Sequence, residues 1–211
     1  MAQRARASGK IDKVEKYWNT VRGKRLVPSR CEVDPRGLDG VLGHAFILER
    51  ITGGLARFRI AGSHLTDLTG LELRQMPLSA LLLPGSRDIL SDALEAVFDE
   101  PAIVRMTITS PASFGREALM GELILLPLRS DLGDIDRVLG AIVLDGRVGR
   151  TPRRIEILGQ SRSSLTGYAG PVHSGNAGEK DTIPAMLKLP RVTKTPAPKP
   201  HGHLRLVVSN D

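Results

Sequence analysis

The 211-residue chain has a single cysteine, Cys31, and only seven aromatic residues. One cysteine excludes an internal disulfide and a zinc site built on several thiolates, and it suits a reducing compartment. So few aromatics leave little for a stacking cage around a planar cofactor, or for interleaving with the bases of a single strand. No stretch approaches the roughly 20 apolar residues of a membrane span, and the basic segment Met1 to Lys16 lacks the apolar core of a signal peptide. The cytoplasm is the expected location. No internal repeat is visible. Gly37, Gly40 and Gly43 fall three apart without the lysine of a P-loop, and no Gly-x-Ser-x-Gly elbow occurs. Since no nucleophile, base and orienting acid can be assembled from recognisable spacing, the chain reads as a non-enzyme.

What the chain does have is charge, unevenly distributed. Thirty Lys and Arg oppose 23 Asp and Glu, a net of +7. Residues 1–30 carry nine basic and two acidic residues, and residues 147–211 carry eleven and four. The body between them, residues 31–146, holds ten basic and seventeen acidic residues, so the global basicity belongs to two arms around an acidic centre. That pattern disfavours a nucleic-acid-binding core. Seven of the fourteen prolines fall after position 146, among Ser, Gly, Thr and Lys, a composition that buries too little apolar surface to offset chain entropy. The expected division is a flexible basic N-terminus over residues 1–9, a folded domain over 10–148, and a basic, proline-rich, disordered tail over 149–211.

Within the body, Ile11, Val14, Trp18 and Val21 recur at steps of three and four, the apolar stripe of an amphipathic helix ending at Gly23. Residues 44–51 and 55–60 read as strands joined by Gly53-Gly54, a dipeptide suited to a tight hairpin, with Phe58 and Ile60 on one face. Ser63 is placed to cap a short helix carrying Leu65 and Leu68 and stopping at Gly70. Pro77 to Leu83 reads as a further turn or two. Ser86 opens a longer helix closed by Asp99-Glu100-Pro101. Three strand-like runs follow, at 102–110, 117–126 and 137–144. In the first, Val104, Met106 and Ile108 alternate with polar residues; the other two are apolar on both faces and need cover on both. The plan is α+β: one five-stranded antiparallel sheet, short helices over one face, and the N-terminal helix or a second copy of the chain over the other.

That order of elements, together with Tyr17-Trp18, the run Arg25-Leu26-Val27-Pro28-Ser29-Arg30, Asp34-Pro35, and the run from Phe58-Arg59-Ile60-Ala61-Gly62-Ser63-His64-Leu65 to Gly70, resembles the bacterial single-domain PAS proteins of the PAS_5 group over roughly residues 14–146. The resemblance implies a PAS fold, with a five-stranded antiparallel sheet and short helices closing a central cavity that takes a small molecule, or with surfaces that pair with another copy or dock onto a signalling protein. Phe46, Leu48, Phe58, Ile60, Met106 and Ile108 are then the candidate wall of that cavity, with Leu65, Leu68, Leu78 and Leu82 over it. His64 lies near enough to ligate a haem iron, but beside Ser63 it reads as a solvent-facing or cap-packing residue. Cys31 precedes the first strand and is out of place for flavin chemistry. The cofactor is left unknown. Ile11, Val14, Trp18 and Val21 are the candidate partner or dimer surface. A homodimer is expected, with a histidine kinase or another signalling protein as further partner, since no histidine is followed by the acidic residue of a kinase phosphoacceptor.

Other motifs carry less. Lys24, Arg25 and Arg30 form a basic cluster similar to the arginine motif of PilZ domains, but its Asp/Asn-x-Ser-x-x-Gly partner is missing. Asp134 and Asp136 flank Ile135 in a polar turn with too few ligands for calcium. His201 and His203 straddle Gly202, a poor metal cage, and no metal site is expected. Leu204 to Val208 is a strand-like island suited to adding onto a sheet edge. The leading reading is a cytoplasmic sensory or adaptor protein that modulates signal transduction by binding a small molecule, a signalling partner or both. The alternative is binding to nucleic acid or an anionic membrane surface through the two basic arms, with a steep salt dependence.

Overall fold

The computed structural model describes residues 2–113 and 115–165, with side chains from Ala7 onward. Helix α1 (Ala2–Arg22) ends where Gly23 turns to φ +58° and its N–H returns to Asn19 O at 3.1 Å. A connector of single 3-10 turns leads to the hairpin of β1 (Ala45–Thr52) and β2 (Leu55–Ala61). Gly54 at its tip lies so close to the helix beyond that a β-carbon there would stand 2.5 Å from Ser91 O, which only glycine avoids. Then come α2 (Ser63–Thr69), two further 3-10 turns, α3 (Arg87–Asp99), and strands β3 (Ala102–Ser110), β4 (Leu119–Leu128), β5 (Arg137–Asp145) and β6 (Glu156–Ser164). Gly62, not Ser63, occupies the cap position of α2, and Gly70 closes that helix in the left-handed region as the sequence predicts.

All strands are antiparallel in one sheet of order β2-β1-β5-β4-β3-β6. The fold is α+β and PAS-like, with a sixth strand added to the expected five. Two of the expected boundaries move. Helix α1 starts at Ala2, inside the stretch read as a flexible N-terminus, because Ala7 continues the stripe of Ile11 and is fully buried. Strand β6 lies inside the stretch read as tail. Its apolar anchors, Ile155 and Ile157, reach the core beside β3, while the polar run after them presents little but backbone to the neighbouring strand. The rest of the predicted tail, with His201, His203 and the island at 204–208, lies outside the described residues.

Each face of the sheet has its own apolar cluster. Under α2, α3 and the 3-10 turns sit Phe46, Leu48, Phe58, Met106, Ile108 and Leu125 with the helix leucines. On the opposite face α1 lies across β4 and β5, burying Ile11, Val14 and Trp18 against Ile124, Leu126, Leu139 and Ala141. The indole Nε1 of Trp18 donates to Pro127 O at 2.9 Å, so its polar atom is satisfied in the core. Arg105 on β3 ties the helix from the side, donating to Asp12 at 2.7 Å and to Glu15 at 2.8 Å. The apolar stripe is thereby occupied within the chain. Ile11, Val14 and Trp18 are fully buried and are not a dimer surface in this arrangement, and Val21 is half-buried.

Candidate functional site

The predicted wall residues divide. Phe46, Leu48, Phe58, Met106 and Ile108 meet Leu65, Leu68, Leu78 and Leu82 in one continuous cluster, each at most 1% exposed. Phe46 and Phe58 contact edge to face, with ring centres 5.4 Å apart. The sequence-predicted site is therefore brought together, and it is close-packed.

Ile60 does not join it. Leu48 pairs with Phe58 whereas the preceding Ile47 pairs with Ile60, which leaves Arg59 as the extra residue of a β-bulge. The bulge resets the alternation, so Ile60 faces the opposite side of the sheet from Phe58, and it is 53% exposed. There it helps floor an apolar cleft of about 400 Å³, together with Ile47 and Leu139. Val33, Leu38 and Leu42 roof the cleft, and Arg30 stands in its lining. Leu42 is 48% exposed, so the cleft presents apolar side chains to solvent on both sides.

The roof is held in place by its neighbours. The Tyr17 hydroxyl accepts from Asp34 N–H at 2.7 Å and donates to Asp34 O at 2.9 Å. The Asp34 carboxylate in turn accepts from Arg36 N–H at 2.9 Å, closing the next 3-10 turn. Gly37 lies against the Tyr17 ring, where a β-carbon would come within 2.0 Å of Cε2. Arg30 N–H donates to Arg129 O at 2.8 Å, tying the start of the roof to the end of β4. Among the described residues no carboxylate lies within ion-pairing distance of the Arg30 guanidinium.

Two charged groupings flank the cleft. Glu49 on β1 takes Arg57 at 2.9 Å, Arg137 at 2.8 Å and Arg59 at 3.5 Å. Burial raises its carboxyl, but the three guanidiniums outweigh that and hold it below the usual carboxylate range. Beside the roof, His44 and His64 meet at 4.2 Å between ring centres, inclined by 61°. Lys10 Nζ lies 2.7 Å from His44 Nε2, so the ammonium donates to a neutral imidazole. Burial, then the neighbouring His64 and Lys10, lower His44 to about 4, and burial with Lys10 lowers His64 too. His44 Nδ1 and His64 Nε2 are buried without a protein partner. His64 is thus half-buried against a second histidine and is not free in solvent. Asp134 and Asp136 belong to a turn in which Asp134 O accepts from Ser130 and Asp136 pairs with Arg137 at 2.8 Å.

Sequence reasoning missed the outer cleft, the histidine pair and β6. The signal for the pair was present in Gly43-His44 and Ser63-His64, but the contact depends on the chain crossing itself at glycines. A β-carbon on Gly62 would stand 2.4 Å from Gly43 O.

The family model for the PAS domain named PAS_5 matches residues 6–143. The chain belongs to the PAS_5 family. The match runs from within α1 through most of β5 and stops before β6. No curated protein matches the chain. Among the described residues, no helix is long and apolar enough to cross a membrane. A PAS domain points to a sensory or signalling role in general, and such domains commonly mediate protein–protein interaction.

Proposed function

We propose that this PAS protein is a non-enzymatic cytoplasmic sensor or adaptor in which the outer cleft receives the signal, and that the ligand is a small amphipathic anion with an aliphatic body. The observation that carries the reading is the coexistence of a packed inner cluster with an open apolar cleft of about 400 Å³ lined mainly from the other side of the sheet, with Phe46 of the cluster at its border. That volume and apolar lining suit a small molecule, and Arg30, with no acidic partner among the described residues, supplies a fork for a carboxylate.

The mechanism is a population shift. A ligand in the cleft touches the roof at Val33, Leu38 and Leu42, and the roof is bonded through Asp34 to Tyr17 on α1. Occupancy that favours one arrangement of roof and helix biases the surface offered to a signalling partner, for example a histidine kinase, or to a second copy. The bias is limited by the ligand's differential affinity, typically about 1–3 kcal/mol.

Native purification followed by mass spectrometry of released small molecules tests the proposal. Wild type is expected to carry an aliphatic anion that Ile60→Trp, a substitution at an exposed position that fills the cleft, loses while keeping the wild-type unfolding midpoint. A ligand retained equally by a folded Ile60→Trp would overturn it.

A further inference from the structure

Away from the cleft and the histidines, arginine accumulates at the other end of the sheet. From Arg147 to Arg154 the chain carries four arginines and no acid, and Arg116 approaches from the turn after β3. Arg116, Arg153 and Arg154 line a cavity of about 170 Å³ with Ser110 and Ser113. Arg153 is 4% exposed. Among the described residues none of the three has a carboxylate within ion-pairing distance. A buried arginine without a counter-ion is costly unless something else neutralises it.

The guanidiniums are held by oxygens of neutral groups. Arg153 Nε donates to Val148 O at 2.6 Å and its Nη1 to Glu117 O at 2.8 Å. Arg116 Nη1 donates to Arg150 O at 2.9 Å and to Pro152 O at 2.8 Å, and its Nε to Ser113 Oγ at 2.6 Å. Arg154 Nη1 donates to Ala80 O. These bonds hold the guanidiniums of three residues that line one small space, and in each the Nη2 donates to no described protein atom. Burial and the nearby Arg116 both lower the Arg153 pKa, as expected when like charges are crowded without an anion.

We propose that this cavity is an oxyanion site that takes the terminal phosphoryl group of a small organic phosphate. Three forked cations call for more than one negative charge and for several acceptor oxygens, which a phosphoryl group supplies and a single carboxylate does not. The cavity is too small for a nucleoside, so the organic part lies outside it. Two of the three arginines, Arg153 and Arg154, follow the matched family domain, whereas Arg116, Ser110 and Ser113 lie within it.

Calorimetric titration of the full chain with inorganic phosphate and with ADP, against chloride at matched ionic strength, tests the assignment. Saturable binding is expected for both phosphates and not for chloride, tighter for ADP. Arg154→Gln, at an exposed side chain, and Arg116→Gln are each expected to weaken it about tenfold or more, the usual loss of a charge-assisted bond. Arg74→Gln, remote and exposed, is expected to leave it unchanged. Equal affinity of Arg154→Gln and wild type, or heats reproduced by chloride, would overturn the site. Tighter binding of a phosphoserine peptide than of ADP would overturn the small-molecule assignment.

Discussion

The two faces of this sheet are built from the same kinds of residue and end in opposite states. Beneath α2 and α3, leucines from helices and 3-10 turns fill the space over Phe46, Phe58 and Met106. On the face bearing α1, the helix covers β4 and β5 but leaves β1 and β2 to a connector of single turns, which roofs them incompletely. A regular helix presents a continuous ridge to a sheet. A string of 3-10 turns, pinned at separate points such as Asp34 and Arg30, leaves gaps between its apolar contacts. The open site therefore arises where the cover is irregular.

The sharpest way to break this comparison is to truncate neighbours on opposite faces. Phe58→Ala, in the packed cluster, is expected to destabilise the fold by about 3–5 kcal/mol, whereas Ile60→Ala, two residues on but across the bulge, costs about 1 kcal/mol or less. Urea unfolding midpoints measure both. Similar losses at the two positions would mean that the bulge at Arg59 does not separate them.

On the α1 side, Trp18→Phe is expected to cost about 1–3 kcal/mol, because it leaves Pro127 O buried without its donor and opens space beneath the helix. If α1 were instead a detachable partner surface, the same substitution would change self-association and leave the unfolding midpoint in place. Sedimentation and urea titration of one variant separate the two cases.

A smaller effect reports on the edge of the roof. His44 titrates near 4 in the folded protein, below its ordinary 6.5, so the unfolded chain takes up the proton first. Stability from this group is present above about pH 6.5 and is lost as pH falls from there toward 4. Lys10, His64 and the Asp67 carboxylate near His64 set the local field. Solvent around the half-exposed ring screens the contribution, to about 1 kcal/mol between pH 7 and pH 5. Wild type is expected to lose that much more than His44→Gln over this interval in urea titrations. Equal losses would place His44 at an ordinary value.

Much of the inner face was legible in the sequence, for reasons particular to its residues. Gly53-Gly54 announces the hairpin, Gly70 ends α2 in the left-handed region, and Val104, Met106 and Ile108 alternate as a half-buried strand must. The bulge was not legible, since Phe58-Arg59-Ile60 reads as plain alternation and the extra residue shows only in the pairing of Ile47 with Ile60. Strand β6 hides for a different reason. After Ile157 its residues are mostly polar or small, and what holds them is backbone pairing with β3, which leaves no hydrophobic period to read. The cleft escapes because its roof comes from turns whose apolar residues, Val33, Leu38 and Leu42, follow neither a helical nor a strand spacing.

Methyl-labelled NMR during titration with octanoate, an aliphatic carboxylate, tests the separation of the two faces most directly. Shifts concentrated at Ile47, Ile60 and Leu42, with Leu65, Leu78 and Ile108 unmoved, are the predicted result. Shifts concentrated at Leu65, Leu78, Met106 and Ile108 would place the ligand in the interior and contradict the account.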